Sequence, residues 1–166
     1  LALVASEEAI KHSGLDLDSV EKERVGVILG SGVGGIHTLE EQHAVLINKG
    51  PKRVSPYFVP KMIANIAAGH IAIKNGFQGP NQTIISACAS ATDAIGYALR
   101  LLRVGDADVI ISGGTEASVS PMPMAGFANM KALSKTTDPQ AASRPFSGDR
   151  NGFVMGEGAG ILVLEE

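Results

Sequence analysis

The chain has 166 residues, with 14 Lys and Arg against 17 Asp and Glu, and the resulting formal charge of −3 offers no basic footprint for nucleic acid. At 45% hydrophobic and 19% charged it can fill a core, which excludes a disordered chain, and no run of about 18 apolar residues is present to cross a membrane. A single cysteine excludes an internal disulfide and any multi-cysteine zinc or iron–sulfur site; separately, no metal and no cofactor are expected.

In chain order, Leu3, Val4, Ala9 and Ile10 form a short amphipathic helix that stops near Gly14. Val25-Gly26-Val27-Ile28-Leu29 is a continuous apolar run between turn signals and reads as a buried strand. A glycine loop, Gly30 to Gly35, leads into a predicted helix over 37–48, stopped by Gly50-Pro51. After the prolines at 51, 56 and 60, Ile63, Ile66, Ala67 and Ile71 recur at helical spacing and predict a helix over 61–75. Thr83-Ile84-Ile85-Ser86-Ala87 is a second predicted strand. Ile95, Ala98, Leu99 and Leu102 then mark the inner face of a helix closed at Gly105. Asp108-Val109-Ile110-Ile111-Ser112 predicts a third strand that stops at Gly113-Gly114. A short helix over 125–133, a polar connector over 136–151 and a fourth strand over 158–164 complete the reading. Alternating strands and helices of this length predict an α/β fold with a largely parallel sheet. The chain opens inside a helical pattern with neither a Met nor a signal-peptide layout, and it closes on a strand. An internal piece of a longer protein is therefore expected.

Glycine is over-represented, at 20 of 166 residues or about 12% against a usual ~7%. Gly30-Ser31-Gly32-Val33-Gly34-Gly35 satisfies the G-x-G-x-x-G pattern of dinucleotide loops. That mechanism also needs an acid on a second strand about 20 residues on, to hold the ribose. The window here, Pro51-Lys52-Arg53-Val54-Ser55-Pro56, has neither acid nor strand pattern. A glycine turn at a close backbone approach is the better reading.

Cys88 lies in Ser86-Ala87-Cys88-Ala89-Ser90-Ala91-Thr92, where a strand stops and a helix starts. Unpaired N–H groups and the positive end of a helix dipole favour a thiolate there, and the same groups can stabilise an oxyanion. Small neighbours allow both a sharp bend and the approach of an acyl group. A buried structural cysteine is the competing reading. A thiolate nucleophile also needs a base, usually His. His12, His37 and His43 lie on solvent-facing helix patterns, and His70 reads as a hydrogen-bonded packing residue within a small-residue helix. Any base for Cys88 is thus expected outside these residues. No acid occurs between Glu41 and Asp93, whereas Lys49, Lys52, Arg53, Lys61 and Lys74 do, which makes a local basic face suited to an acidic partner or merely to solvent.

Four motifs in register resemble one family: Ser86-Ala87-Cys88-Ala89-Ser90-Ala91, Gly113-Gly114-Thr115-Glu116-Ala117, Ala142-Ser143-Arg144-Pro145-Phe146, and the run Asn151 to Gly160. They resemble the β-ketoacyl-acyl carrier protein synthases. The glycine loop at 30–35 and Ser55-Pro56-Tyr57-Phe58-Val59-Pro60 are most similar to the elongating type II enzymes of bacterial fatty acid synthesis. The resemblance implies a thiolase-like αβαβα layered fold. This chain, 1–166, would be its N-terminal half, lacking the first strand and carrying a mainly parallel mixed sheet. It implies a cytoplasmic homodimer performing a decarboxylative Claisen condensation. Cys88 takes an acyl group from acyl carrier protein, and the carbanion from malonyl-carrier protein attacks the thioester. The family's two histidines, its lysine and its second oxyanion donor belong to the C-terminal half, so Cys88 N–H is the one donor here.

By the same resemblance Phe127 lines the acyl pocket and Val33 stands at its far end, where the type II enzymes commonly have isoleucine. The smaller side chain is expected to admit longer or branched chains, a difference of about 1–3 kcal/mol per methylene at most. Lys52, Arg53 and Lys131 match positions that dock the acidic carrier. The strand before the nucleophile pairs across the family's dimer interface. Ser147 and Asn151 depart from the family's usual aspartates, and both fall in the connector, where a structural role is expected. The rival readings are a thiolase or polyketide-type synthase of the same fold, or a binding module whose site is not used.

Overall fold

The computed structural model describes residues 1–166. Its central strand is β1 (Val25–Gly30), with all six residues buried. β1 runs parallel to β2 (Asn81–Ile84) on one side and to β3 (Val109–Glu116) on the other. β4 (Gly158–Glu165) pairs antiparallel with β3, giving the order β2-β1-β3-β4 and the mainly parallel mixed sheet expected from the sequence. Alternate residues of β1 and β3 enter different cores. Val25, Val27, Leu29, Val109 and Ile111 pack with Ala2 and Ile10 of α1 (Ala2–Ser13), Ala68 and Ile71 of α4 (Ile66–Asn75), and Phe77. Ile28 and Ile110 meet Ala94, Ala98, Leu101 and Leu102 of α5 (Ser90–Arg103) on the other face. Cover on both faces is why these strands read as unbroken apolar runs rather than as alternation.

At the entrance to the sheet, Arg24 donates to Asp108 Oδ1 at 3.1 and 2.5 Å and to Gly105 O at 2.9 Å, tying β1 to β3. The hydrogen bond from Arg24 holds the Asp108 carboxyl below its ordinary range. No helix is long and apolar enough to cross a membrane.

Four predicted elements differ from those observed. The helix expected over 61–75 is broken into α3 (Phe58–Met62) and α4, with Ile63 extended between them. Met62 O accepts from Gly35 N at 3.0 Å instead of continuing the helical ladder, so the glycine loop, packed on the backbone at 61–64, ends α3. The strand expected at 83–87 ends at Ile84, because the next three residues leave the sheet to turn into α5. β3 passes straight through Gly113 and Gly114, which pair with Ile161 and Gly160 of β4. The helix expected over 125–133 is α6 (Pro121–Asn129), started by Pro121 and ended before Lys131, whose φ is +58°. α5 also turns a slightly different face inward: Ala94, Ala98 and Leu101 are buried, whereas Leu99 is 43% exposed.

That rotation follows from how near α5 lies to the sheet. A Cβ on Gly30 would stand 2.3 Å from the Ser90 carbonyl carbon, and one on Gly114 would stand 2.6 Å from Ala91 Cβ. Glycine at both strand ends lets the first turn of α5 rest directly on β1 and β3. Gly30→Ala is expected to lower the unfolding free energy by about 1–3 kcal/mol in urea denaturation. Gly96→Ala, on the open side of α5 with nothing within 4 Å, is expected to raise it by roughly 0.5–1 kcal/mol.

Candidate active site

Residues 85–89 form a tight elbow between β2 and α5. Ala87 takes a left-handed φ of +54°, a conformation that costs a residue with a side chain on the order of 1–3 kcal/mol. Ser90 holds it there. Its Oγ donates to Ala87 O at 2.6 Å and accepts from Ser86 N at 2.9 Å, and the side chain is buried. Ala89 N and Ser90 N close back on Ser86 O and Ala87 O, each at 3.2 Å. Ser86 Oγ donates to Asp93 Oδ2 in the first turn of α5, a second clasp across the elbow. Cys88 is thereby carried past the end of the sheet and is exposed, which disfavours the buried structural reading. Its N–H donates to no group of the chain.

Cys88 opens onto a cleft of about 630 Å³. Val33 and Phe127 line the same cleft, so three of the residues singled out in the sequence are brought together. The far wall is the run 153–160. Phe127 meets Phe153 edge to face, with centroids 5.2 Å apart at 81°. Phe153 also borders a second cavity, lined by Arg144, Phe146 and Arg150 among others, where Phe146 is almost fully exposed on a left-handed backbone with φ +71°.

Three glutamates secure the loops around the cleft, each by accepting backbone N–H groups. Glu116, the last residue of β3, takes Gly32 N at 2.6 Å and Val33 N at 3.0 Å through Oε2. Glu40, on α2 (Ile36–Lys49), takes Met122 N at 2.6 Å and the Ser120 hydroxyl at 3.1 Å, capping α6 from outside. Glu157 takes Val119 N at 2.8 Å. Charge-assisted bonds of this kind are shorter and stronger than neutral ones. They also show what the G-x-G-x-x-G loop does. Two of its amides, those of Gly32 and Val33, are directed at a carboxylate of the same chain, and a phosphate would have to displace that carboxylate against like charge. Sequence reasoning missed all three clamps and Ser90. The available signal for Glu116 was an acid at the end of an apolar strand, next to a glycine loop with no ribose-binding acid.

All four histidines are exposed and none lines the cleft. The His70 side chain is exposed and makes no hydrogen bond, so the packing role expected for it is not found; Ala68 and Ile71 form the buried face of α4 instead. His37 Nε2 lies 3.6 Å from Glu157 Oε1 at the surface. Lys52 and Arg53 sit exposed on a single 3₁₀ turn, Pro51–Arg53, packed on α2, and Lys131 is exposed just after α6, away from the cleft lining. In the connector, Ser147 Oγ donates to Asp149 at 2.7 Å, and that bond, a backbone N–H and Arg144 hold the Asp149 carboxyl below its ordinary range. Asn151 Oδ1 accepts from Ser134 Oγ at 2.8 Å. No group of three or more His, Cys, Asp or Glu side chains is arranged to hold a metal.

A mixed α/β sheet that presents an exposed thiol on a strand-to-helix elbow, at the head of an apolar-walled cleft, defines an elbow-type thiol site. The model of the β-ketoacyl synthase N-terminal domain matches residues 1–166, and the chain belongs to that family. It is 49% identical over 164 residues to 3-oxoacyl-[acyl-carrier-protein] synthase 2 of Staphylococcus aureus, covering 99% of this chain and 41% of that protein. To the protein of the same name from Synechocystis it is 49% identical over 166 residues, covering 40% of it. Among solved structures it matches a type II polyketide ketosynthase, determined with its acyl-carrier protein and bound hexaketide, with a TM-score of 0.92 and 32% identity over 99% of this chain and 42% of that one. A β-ketoacyl synthase from Burkholderia phymatum gives 0.88 and 32%, over 99% and 41%. The fold is that of the ketosynthases, as the thiolase-like expectation required, and the chain spans about two fifths of the relatives it matches.

Removing the Ser90 hydroxyl leaves the part-buried Ser86 N–H without an acceptor and frees Ala87 O. Ser90→Ala is expected to lower stability by about 1–3 kcal/mol in chemical denaturation. Ser86→Ala, whose hydroxyl meets Asp93 in a more exposed place, is expected to cost about 1 kcal/mol or less.

Proposed function

We propose that residues 1–166 are the N-terminal half of a 3-oxoacyl-acyl carrier protein synthase, acting in fatty acid elongation as a cytoplasmic homodimer. The observation that carries this reading is the exposed Cys88 on its elbow, with an uncommitted N–H, facing a cleft walled by Val33 and Phe127. The printed names of the Staphylococcus aureus and Synechocystis relatives support it, at higher identity than the polyketide ketosynthase.

The thiolate of Cys88 attacks the thioester carbonyl of an acyl-carrier protein. A tetrahedral oxyanion forms, which the Cys88 N–H faces, and it collapses with loss of the carrier thiolate to leave an S-acyl cysteine. Malonyl-carrier protein then loses carbon dioxide. The carbon–sulfur bond at Cys88 breaks as the new carbon–carbon bond forms, returning the thiolate. Val33 and Phe127 are assigned to the wall that receives the acyl chain. The groups that activate malonyl-carrier protein are assigned to the part of the synthase outside residues 1–166, since no histidine here reaches the cleft. Lys52, Arg53 and Lys131 are assigned to docking the acidic carrier. The acid-free stretch before Asp93 and the carrier seen with the polyketide ketosynthase support that assignment.

In the full-length synthase, Cys88→Ala is expected to abolish condensation, measured as 3-oxoacyl product from carrier-bound substrates. Retained condensation at more than about a hundredth of the native rate would overturn the role of Cys88. Reversing Lys52 and Arg53 together to Glu is expected to raise KM for carrier-bound substrate roughly tenfold, an effect that shrinks with added salt, with kcat little changed. An unchanged KM at low salt would remove these residues from the docking face.

A further inference from the structure

The loop that carries Val33 is held by an unusual economy of bonds. Ser31 N donates to Ile84 O at 3.3 Å, Gly34 N to Ser31 Oγ at 3.3 Å and Gly35 N to Met62 O at 3.0 Å. Between them, Gly32 N and Val33 N have a single partner, Glu116 Oε2. That partner comes from the end of β3, more than 80 residues along the chain, and its side chain lines the same cleft as Cys88 and Val33. The other oxygen, Oε1, is shielded from solvent and makes no hydrogen bond, so both hydrogen bonds of this carboxylate go to the loop. The fit is close: a Cβ on Gly32 would lie 2.9 Å from Oε2. Val33 is half exposed and lines the cleft.

We propose that Glu116 is a positioning residue for substrate choice. By taking both amides, it sets how far the Val33 wall stands from Cys88, and hence which acyl chains the cleft admits. This rests on the reading of the cleft as an acyl site. Glu116 touches no reacting atom in this account; it acts through the backbone of Gly32 and Val33. Aspartate, one methylene shorter, cannot span to both amides unless the loop moves toward β3. Glutamine retains an oxygen with two lone pairs at the right reach.

The test uses the full-length synthase as wild type, Glu116→Gln, Glu116→Asp and Glu116→Ala, with short, medium and long acyl-carrier substrates. Amide hydrogen exchange over 31–34 is followed in the same preparations. Asp and Ala variants are expected to exchange faster over 31–34 and to shift the long-to-short ratio of kcat/KM by roughly tenfold or more, mainly through KM. Glu116→Gln is expected to keep the native ratio. Should the Asp and Ala variants fail to fold, Gly32→Ala tests the same contact from the loop side while keeping the charge, and the same shift is expected. A uniform loss of activity with an unchanged ratio, in a variant whose loop exchange has risen, overturns the proposal and leaves Glu116 a brace. Wild-type enzyme that forms no acyl-Cys88 with any substrate overturns the acyl reading and this proposal together. A normally acylated wild type with no ratio shift in the variants overturns this proposal alone.

Discussion

The first turn of α5 rests on the ends of β1 and β3 at a distance that only glycine permits, and the geometry of the site descends from that contact. With Gly30 and Gly114 beneath Ser90 and Ala91, the helix starts almost on the sheet. The chain leaving β2 therefore has five residues, 85–89, in which to reverse direction. It does so through Ala87 at positive φ, with the buried Ser90 hydroxyl bonded to both sides of the bend. The residue at the crest is Cys88, and its exposure follows from the bend rather than from any looseness of the chain. A bulkier residue at either strand end would push the helix off, and the reason for the bend would go with it.

Around this rigid point the walls of the cleft are loops, and loops need partners for their amides. Here carboxylates supply them. Glu116 holds the loop of Val33, Glu40 the start of α6 that carries Phe127, and Glu157 the segment before it. Each glutamate is distant in sequence from the amides it accepts, so the loops around the cleft are held by long-range, charge-assisted bonds. This also gives a physical account of the glycine loop that imitates a dinucleotide motif. Amides arranged to meet an anion are present, and the anion is the chain's own side chain.

Much of the sheet was legible in the sequence because β1 and β3 are buried on both faces: Val25 to Leu29 and Val109 to Ile111 could hardly be read otherwise. Cys88 was legible as the start of a helix after a β-branched run. What the sequence concealed were decisions taken by distant partners. Ile85, β-branched and strand-like, leaves the sheet because α5 must begin at Ser90. Ile63 falls out of its helix because Gly35 takes the Met62 carbonyl. Gly113 and Gly114, punctuation in any local reading, stay in β3 because β4 lies alongside. Leu99 was misplaced for a subtler reason: the inner face of α5 is chosen for small residues, Ala94 and Ala98, since the helix sits so close. The glutamate clamps were invisible for the same reason as Ile63, each depending on a bond across tens of residues.

The sulfur at the crest of the elbow is the atom that must accept the acyl group. The most direct measurement incubates the full-length synthase with acyl-carrier protein in the absence of the malonyl partner, digests it, and locates the added mass by tandem mass spectrometry. One acyl adduct on Cys88, labile to hydroxylamine as a thioester is, is the predicted result. An adduct on any other side chain, with Cys88 still free to be alkylated, would contradict it.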